Sequence, residues 1–305
     1  MKSAFYFSVA FIMAFLLSAC STTIYRAGID LERWQAGMNE KSLDVNDLHF
    51  SYLDGSSGAS ILMLHGFGSN KDSWNRFARH LTDKFRVIAV DLPGHGDSTS
   101  NLDDKYDVHS QALRLALFVD KLGIQRFHII GSSMGGAIAI HYAHLHPDRV
   151  MTMGLISSGG VMSPKPSEYM RKLEKGENPL LVRSKDDFDN MLKFVMVETP
   201  YIPWFIKNVV YEEYMERQAI NERIFKDIAT EEMVNMAFLP EINIPVFILW
   251  GKQDRVLDVS SVGVFEEQLP DTYSVIMEDI GHAPMVEAPE TSAGHYLQFL
   301  KRYDK

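Results

Sequence analysis

Short apolar runs recur along the chain and alternate with amphipathic segments. The runs have the length and the largely apolar character of strands: Ser60–Leu64, Phe85–Val90, Phe127–Ile130, Met151–Ser157, Ile244–Trp250 and Thr272–Met277. Ser60–Leu64 and Phe85–Val90 are typical of strands buried on both faces. Helical segments begin near Asp72, span Asp107–Leu122 and close the chain at Glu290–Lys301. This alternation predicts right-handed βαβ units and a parallel sheet covered by helices on both faces.

Two shorter pieces, Lys41–Val45 and Leu48–Leu53, precede the first buried run and alternate between polar and apolar side chains. They predict an antiparallel pair at the edge of the sheet. Before them, the spacing of apolar residues in Ile24–Met38 predicts a short helix. Within the helix Asp107–Leu122, the side chains expected to face the core are Leu113, Leu115, Phe118, Val119 and Leu122.

The alternation of apolar runs and helical segments stops after Met151–Ser157 and resumes at Ile244. Between Gly159 and Leu239 the chain is rich in helix formers, methionine and aromatic residues. A helical stretch inserted into a sheet in this way favours a cap over the ends of the strands. The alternative is a helical elaboration that packs elsewhere on the surface.

The first residues have the character of a targeting segment. Lys2 is followed by an almost wholly apolar run, Ala4–Leu17, which is shorter than the roughly 20 residues that span a bilayer. The run ends in Leu17-Ser18-Ala19-Cys20, which resembles a bacterial lipobox, and Ser21–Thr23 is expected to be flexible. The prediction is a signal peptide over 1–19 and a lipidated Cys20 in the cell envelope, at the outer membrane. The alternative is an uncleaved signal anchor.

Charge and cysteine content narrow the function further. Without residues 1–19 the chain has 29 basic and 40 acidic side chains, a net charge of −11, which argues against nucleic acid as a partner. Membrane attachment would therefore come through the lipid on Cys20, the only cysteine in the sequence. With no second cysteine there is no disulfide. The sequence does not predict an oligomeric state.

A serine stands in Gly131-x-Ser133-x-Gly135, directly after a predicted strand and before a predicted helix. This pattern is typical of a nucleophile on a tight strand-to-helix turn. Asp254 follows the strand that ends at Trp250, and His282 follows the last strand. Because parallel strands end at one edge of the sheet, Ser133, Asp254 and His282 are predicted to meet there as a catalytic triad.

Each member of the triad would have one role. His282 would take the proton of Ser133 and return it to the leaving group, and Asp254 would hold the imidazole. The backbone N–H groups of Phe67 and Met134 are the candidates for the oxyanion hole. No cofactor or metal is expected for this chemistry.

Other side chains compete for these roles. His65 and His95 also follow strands, but a role in stabilising glycine-rich loops is favoured. Glu278 and Asp279 are expected to face solvent. The motif His141-x-x-His144-x-His146 resembles a metal cluster, yet it is better explained as exposed histidines near a helix C-terminus.

The motifs His65-Gly66-Phe67-Gly68, Asp91–Ser98, Gly131–Gly136, Trp250–Asp254 and Gly281-His282 together resemble the α/β-hydrolase superfamily. Within it, the chain is similar to bacterial family V lipases and esterases and to membrane-associated monoacylglycerol lipases. The resemblance implies an α/β-hydrolase fold with a mostly parallel eight-stranded sheet and a helical cap after the sixth strand. The expected units are an anchor-proximal segment at 20–40, a core at 41–158 and 240–305, and a cap at 159–239.

The resemblance also implies hydrolysis of carboxylic esters, especially acylglycerols, through an acyl-serine and without a cofactor. Two alternatives stay open. One is a hydrolase of carbon–carbon bonds with the same triad, and the other is a non-catalytic lipid-binding lipoprotein. Related enzymes with an aspartate nucleophile are disfavoured, because the nucleophile position here is Ser133.

Overall fold

The protein is described by a computed structural model that covers residues 21–229, 233 and 236–303. Its centre is an eight-stranded sheet in the order β1-β2-β4-β3-β5-β6-β7-β8. The strands are β1 Met38–Val45, β2 Leu48–Gly55, β3 Ser60–Leu64, β4 Arg86–Val90, β5 Phe127–Ser132, β6 Val150–Ile156, β7 Val246–Gly251 and β8 Thr272–Met277. The pairs β1–β2 and β2–β4 are antiparallel and all others are parallel, which confirms the predicted sheet and its antiparallel edge.

Helices cover both faces of this sheet. The first helix, α1, occupies residues 21–35. The others are α2 Asn75–Ala78, α3 Val108–Lys121, α4 Met134–Leu145, α5 Glu168–Leu173, α6 Lys185–Val195, α7 Trp204–Glu216, α8 Gln218–Ile228, α9 Ser261–Gln268, α10 Pro284–Glu287 and α11 Pro289–Leu300. In the part of the chain that is described, no helix has the length and apolar character needed to cross a membrane.

Successive side chains of β3 show why both faces are covered. Leu62 and Leu64 belong to one buried cluster, which they share with α3, α4 and α9. Ile61 and Met63 belong to a second cluster on the opposite face, shared with α2 and α11. Because strand side chains alternate between faces, an unbroken apolar run is what a doubly covered strand requires.

Two local expectations were wrong. Ser21–Thr23 is helical and not flexible, since α1 already includes these residues. Leu113 on α3 is 47% exposed, whereas Leu115 and Phe118 are buried. Positions 113 and 115 are separated by about 200° around a helix, so the two leucines cannot face the core together.

The insertion between β6 and β7 contains α5, α6, α7 and α8, and its described residues contain no strand. Ser184 caps α6 by accepting a hydrogen bond from the Asp187 N–H at 3.1 Å, the role in which serine is favoured before the first turn of a helix. This is the helical cap of the fold. Residues 1–20 lie outside the described residues, and so do the predicted signal peptide and Cys20.

Candidate active site

Ser133 stands at the turn between β5 and α4. Its backbone has φ 53° and ψ −116°, a conformation that costs a non-glycine residue about 1–3 kcal/mol. The turn is held by hydrogen bonds on both sides: the Ser133 N–H donates to the Ile156 carbonyl at 3.0 Å, and the Ser133 carbonyl accepts from Gly159 at 3.1 Å. The strain therefore persists because neighbouring strands fix this backbone.

The glycines around Ser133 are required by close approach of other backbone atoms. A Cβ at Gly131 would lie 2.2 Å from the Gly135 carbonyl oxygen, and one at Gly135 would lie 2.3 Å from the Leu64 carbonyl oxygen. No side chain fits in either place. The spacing Gly131-x-Ser133-x-Gly135 thus reflects how tightly this turn packs against β3.

Asp254 and His282 are brought together, as the sequence predicts. The Asp254 Oδ2 atom lies 2.8 Å from His282 Nδ1. The other carboxylate oxygen accepts from the backbone N–H groups of Val256 at 2.8 Å and Leu257 at 3.0 Å. Both residues are at least nine-tenths buried. The carboxylate is therefore fixed from one side by its own loop and points its remaining oxygen at the imidazole.

Ser133 and His282 line one cavity of about 240 Å³ beneath the cap. Its wall is largely apolar, and its aliphatic and methionine residues are Leu180, Met191, Leu192, Val195, Met196, Met285 and Val286. Two aromatic side chains, Phe67 and Tyr214, also contribute. The exposed aromatic residues of the cap, Tyr201 and Trp204, lie on the surface instead. An apolar space next to a serine and a histidine suits the apolar part of a small ligand.

The loop after β3 lies directly against the serine. A Cβ at Gly66 would be 3.3 Å from the Ser133 Cβ. Within the described residues, neither the Phe67 N–H nor the Met134 N–H donates to a protein acceptor. The Met134 group is free because the first N–H groups of a helix have no partner inside it.

His65 stabilises this loop, as its position predicts. Its Nδ1 atom is 2.8 Å from the Gly66 carbonyl oxygen, and its Nε2 atom accepts from the Leu92 N–H at 3.1 Å. Burial lowers the pKa of His65 and favours the neutral ring. The contact with the Gly66 carbonyl and the bond from the Leu92 N–H place its proton on Nδ1. His95 is also buried, with its ring centroid 4.9 Å from that of His65.

The competing carboxylates face solvent. Glu278 pairs with Lys252 at 2.7 Å, and Asp279 accepts from Gln253 at 3.0 Å, both at exposed positions. Neither contact involves His282, and Asp254 is the carboxylate that the structure places beside the imidazole.

The prediction that the three histidines near the end of α4 are exposed was wrong, because His141 is buried and His144 and His146 are half-buried. Its Nε2 atom lies 3.0 Å from His109 Nδ1 on α3. Burial, followed by repulsion from His109 and His144, lowers the pKa of His141 to about 4. The packing of α3 against α4 covers this position, and the sequence of α4 alone does not show it.

Comparison with known proteins places the chain in a family. The α/β-hydrolase fold family matches residues 59–189. Lipase 3 of Moraxella sp. (strain TA144) is 33% identical, with 89% of this chain and 87% of that lipase covered. The chain belongs to the α/β-hydrolase family.

A relative of lower sequence identity and a solved structure of higher identity agree with this placement. The monoacylglycerol lipase ABHD6 of Homo sapiens is 28% identical, with 96% of this chain and 90% of that enzyme covered. The crystal structure of a bacterial membrane phospholipase A is 41% identical, has a TM-score of 0.93 and matches over 100% of both chains.

Proposed function

We infer that the protein is a serine hydrolase that cleaves carboxylic esters, with acylglycerols as its main substrates. The observation that carries this function is the geometry around one apolar cavity. Ser133 projects from a strained turn into that cavity, and His282, bonded to Asp254 at 2.8 Å, lines the same space. The relatives named above, two lipases and a phospholipase A, support ester hydrolysis.

The reaction begins when the Ser133 hydroxyl attacks the ester carbonyl. The Nδ1–H of His282 donates a hydrogen bond to the Asp254 carboxylate and its proton stays on the ring, so the Nε2 lone pair is free to accept the serine proton. The imidazolium that forms is stabilised by the Asp254 carboxylate. It then protonates the leaving alkoxide, and an acyl-Ser133 remains. Water, activated by His282 in the same way, releases the acid.

The negative charge on the carbonyl oxygen needs donors that are already in place. The backbone N–H groups of Phe67 and Met134 fit this role, since both lie in segments beside Ser133 and neither has another acceptor among the described residues. One such donor contributes about 3–4 kcal/mol to the transition state. His65 supports the first of them, because it bonds the carbonyl of the preceding residue.

The cavity indicates which part of the substrate it takes. Its aliphatic and methionine wall suits an acyl chain, and each methylene group buried there contributes about 0.8 kcal/mol. The similarity to a monoacylglycerol lipase adds glycerol as the alcohol, so acyl esters of glycerol are the proposed class. The similarity to a phospholipase A makes the acyl esters of glycerophospholipids a second group to assay.

A location follows from the N-terminal sequence. We place the enzyme at the bacterial cell envelope, held in the outer membrane by a lipid on Cys20. The lipobox-like Leu17-Ser18-Ala19-Cys20 supports this proposal. Such an anchor would keep the cavity near its lipid substrates.

The function is tested with p-nitrophenyl esters of graded chain length and with a fluorophosphonate that labels active serines. Ser133→Ala should abolish turnover and labelling while the protein stays folded. Ser132→Ala is the matched control and should be labelled normally. Cleavage of a dienedione without cleavage of any ester would favour the carbon–carbon hydrolase. Absence of labelling at Ser133 would leave a non-catalytic lipid-binding protein.

A further inference from the structure

Glu287, the last residue of α10, holds two segments together through its carboxylate. The Oε1 atom accepts from the N–H groups of Gly281 at 3.0 Å and Ala283 at 3.4 Å. The Oε2 atom accepts from Val197 at 2.8 Å and Glu198 at 3.3 Å. The first pair flanks His282, and the second pair follows α6 in the cap. One side chain therefore joins the loop of the proposed base to the cap.

The His282 loop and the end of α6 are in direct contact as well. The His282 N–H donates to the Val195 carbonyl at 2.8 Å. A Cβ at Gly281 would lie 2.7 Å from that same carbonyl oxygen and 3.0 Å from Glu287 Oε1. Gly281 therefore lies too close to the cap to carry a side chain, and the Glu287 bonds hold the loop in that position.

The same end of α6 also contacts the loop of Asp254. Arg255 Nη1 donates to the Lys193 carbonyl at 2.7 Å. The side chains of Leu192 and Val195, from this last turn, line the cavity beside Ser133. The last turn of α6 is thus bonded to both loops that carry the triad partners of Ser133.

We propose that Glu287 is a positioning residue of the active site, which locks the His282 loop and the cavity wall of α6 into one unit. Its catalytic consequence rests on the proposed function of Ser133 and His282. A misplacement of about 1 Å at a reacting group can cost about 100-fold in rate. A carboxylate is needed because its two oxygens are acceptors only and can serve both segments at once.

Two variants separate the charge of Glu287 from its span. Glu287→Gln keeps the length but turns one oxygen into an NH₂ group, which opposes the N–H donors on one side. Glu287→Asp keeps the charge but is one carbon–carbon bond shorter, about 1.5 Å, and cannot reach both segments. Glu290→Gln, at an exposed position on α11, is the matched control.

Two measurements are made on the full chain. With p-nitrophenyl butyrate, both Glu287 variants should lose about 10- to 100-fold in kcat while KM stays within about twofold. The control should stay within about twofold for both constants. By hydrogen–deuterium exchange, amides of segment 195–198 or 280–283, whichever loses its acceptor, should exchange faster in the Glu287 variants, with the core strands unchanged.

The proposal is overturned if kcat of Glu287→Gln stays within about twofold of the parent, or if exchange rises throughout the protein or in neither segment. If the parent protein cleaves no ester, the proposed function fails, and the exchange experiment still decides whether Glu287 joins the segments.

Discussion

Asn has nearly the same shape as Asp, so replacing Asp254 with Asn mainly changes which atoms of the site carry protons. The Asp254 Oδ1 atom accepts from Val256 and Leu257 at 2.8 and 3.0 Å, and the amide oxygen of Asn can keep both bonds. At the other position, 2.8 Å from His282 Nδ1, Asn presents an NH₂ donor. We expect the imidazole to carry its proton on Nε2 instead. In that tautomer it cannot accept the proton of Ser133.

The expected loss of kcat is large, because the imidazole would hold its proton on the wrong nitrogen. The equivalent change in Ser-His-Asp triads lowers kcat about 10⁴-fold, which corresponds to about 5.5 kcal/mol of activation free energy. The free energy of unfolding should fall by only about 1–2 kcal/mol, because the Asn oxygen keeps its loop bonds. Domains of this kind have about 5–15 kcal/mol of stability, so the variant stays folded.

The assay compares kcat for a p-nitrophenyl ester in the parent and in Asp254→Asn, with urea unfolding of both. Asp279→Asn is the control, since Asp279 is an exposed carboxylate near His282 in sequence and bonds Gln253 instead. A loss of less than about tenfold in folded Asp254→Asn would refute the role of this carboxylate. An equal loss in Asp279→Asn would do the same.

Two further predictions concern attachment and acid stability. Cys20→Ser should move the protein out of the membrane fraction with unchanged specific activity, because the thiol is the proposed site of the lipid; retention in the membrane would contradict the anchor. At Asp54, burial opposes ionisation, but hydrogen bonds from Arg86 and Lys41 outweigh it and lower the pKa of the carboxyl. Its stabilising effect is therefore present above about pH 4 and lost as pH falls through the lowered folded value. Asp54→Asn should reduce the free energy of unfolding by about 1–2 kcal/mol at pH 7 and by less at pH 3, measured by urea unfolding; equal losses would contradict this.

The meeting of Ser133, Asp254 and His282 at one edge could be predicted because it depends on strand order alone. Each residue follows an apolar run, and parallel runs end on the same side of a sheet. The strands before Ser133 and Asp254 could be identified because they are fully buried, whereas β8, before His282, is a half-buried edge strand that its β-branched and aromatic residues still indicate. The topology of the sheet and the positions of these three residues on it could therefore be predicted from the local sequence.

Contacts between segments that are far apart in the sequence could not be predicted in this way. Glu287 follows a proline in an ordinary helical segment, and no pattern around it indicates that it binds the backbone of the cap. The burial of His141 likewise depends on α3, and the cavity wall depends on how α6 lies over the strands. These features arise from the arrangement of elements and not from their local sequence.

The bonds at the end of α6 have a consequence for exchanging caps between related enzymes. Because the insertion lies between two strands, a segment from a relative could replace residues 159–239 without changing Ser133, Asp254 or His282. Here the carbonyls of Lys193 and Val195 and the N–H of Val197 are already engaged by core groups. A graft that keeps residues 193–198 and their bonds to the core should fold and still hydrolyse esters. A graft that replaces this turn would change the cavity wall at Leu192 and Val195. It would also remove the hydrogen bonds that hold the His282 loop against α6.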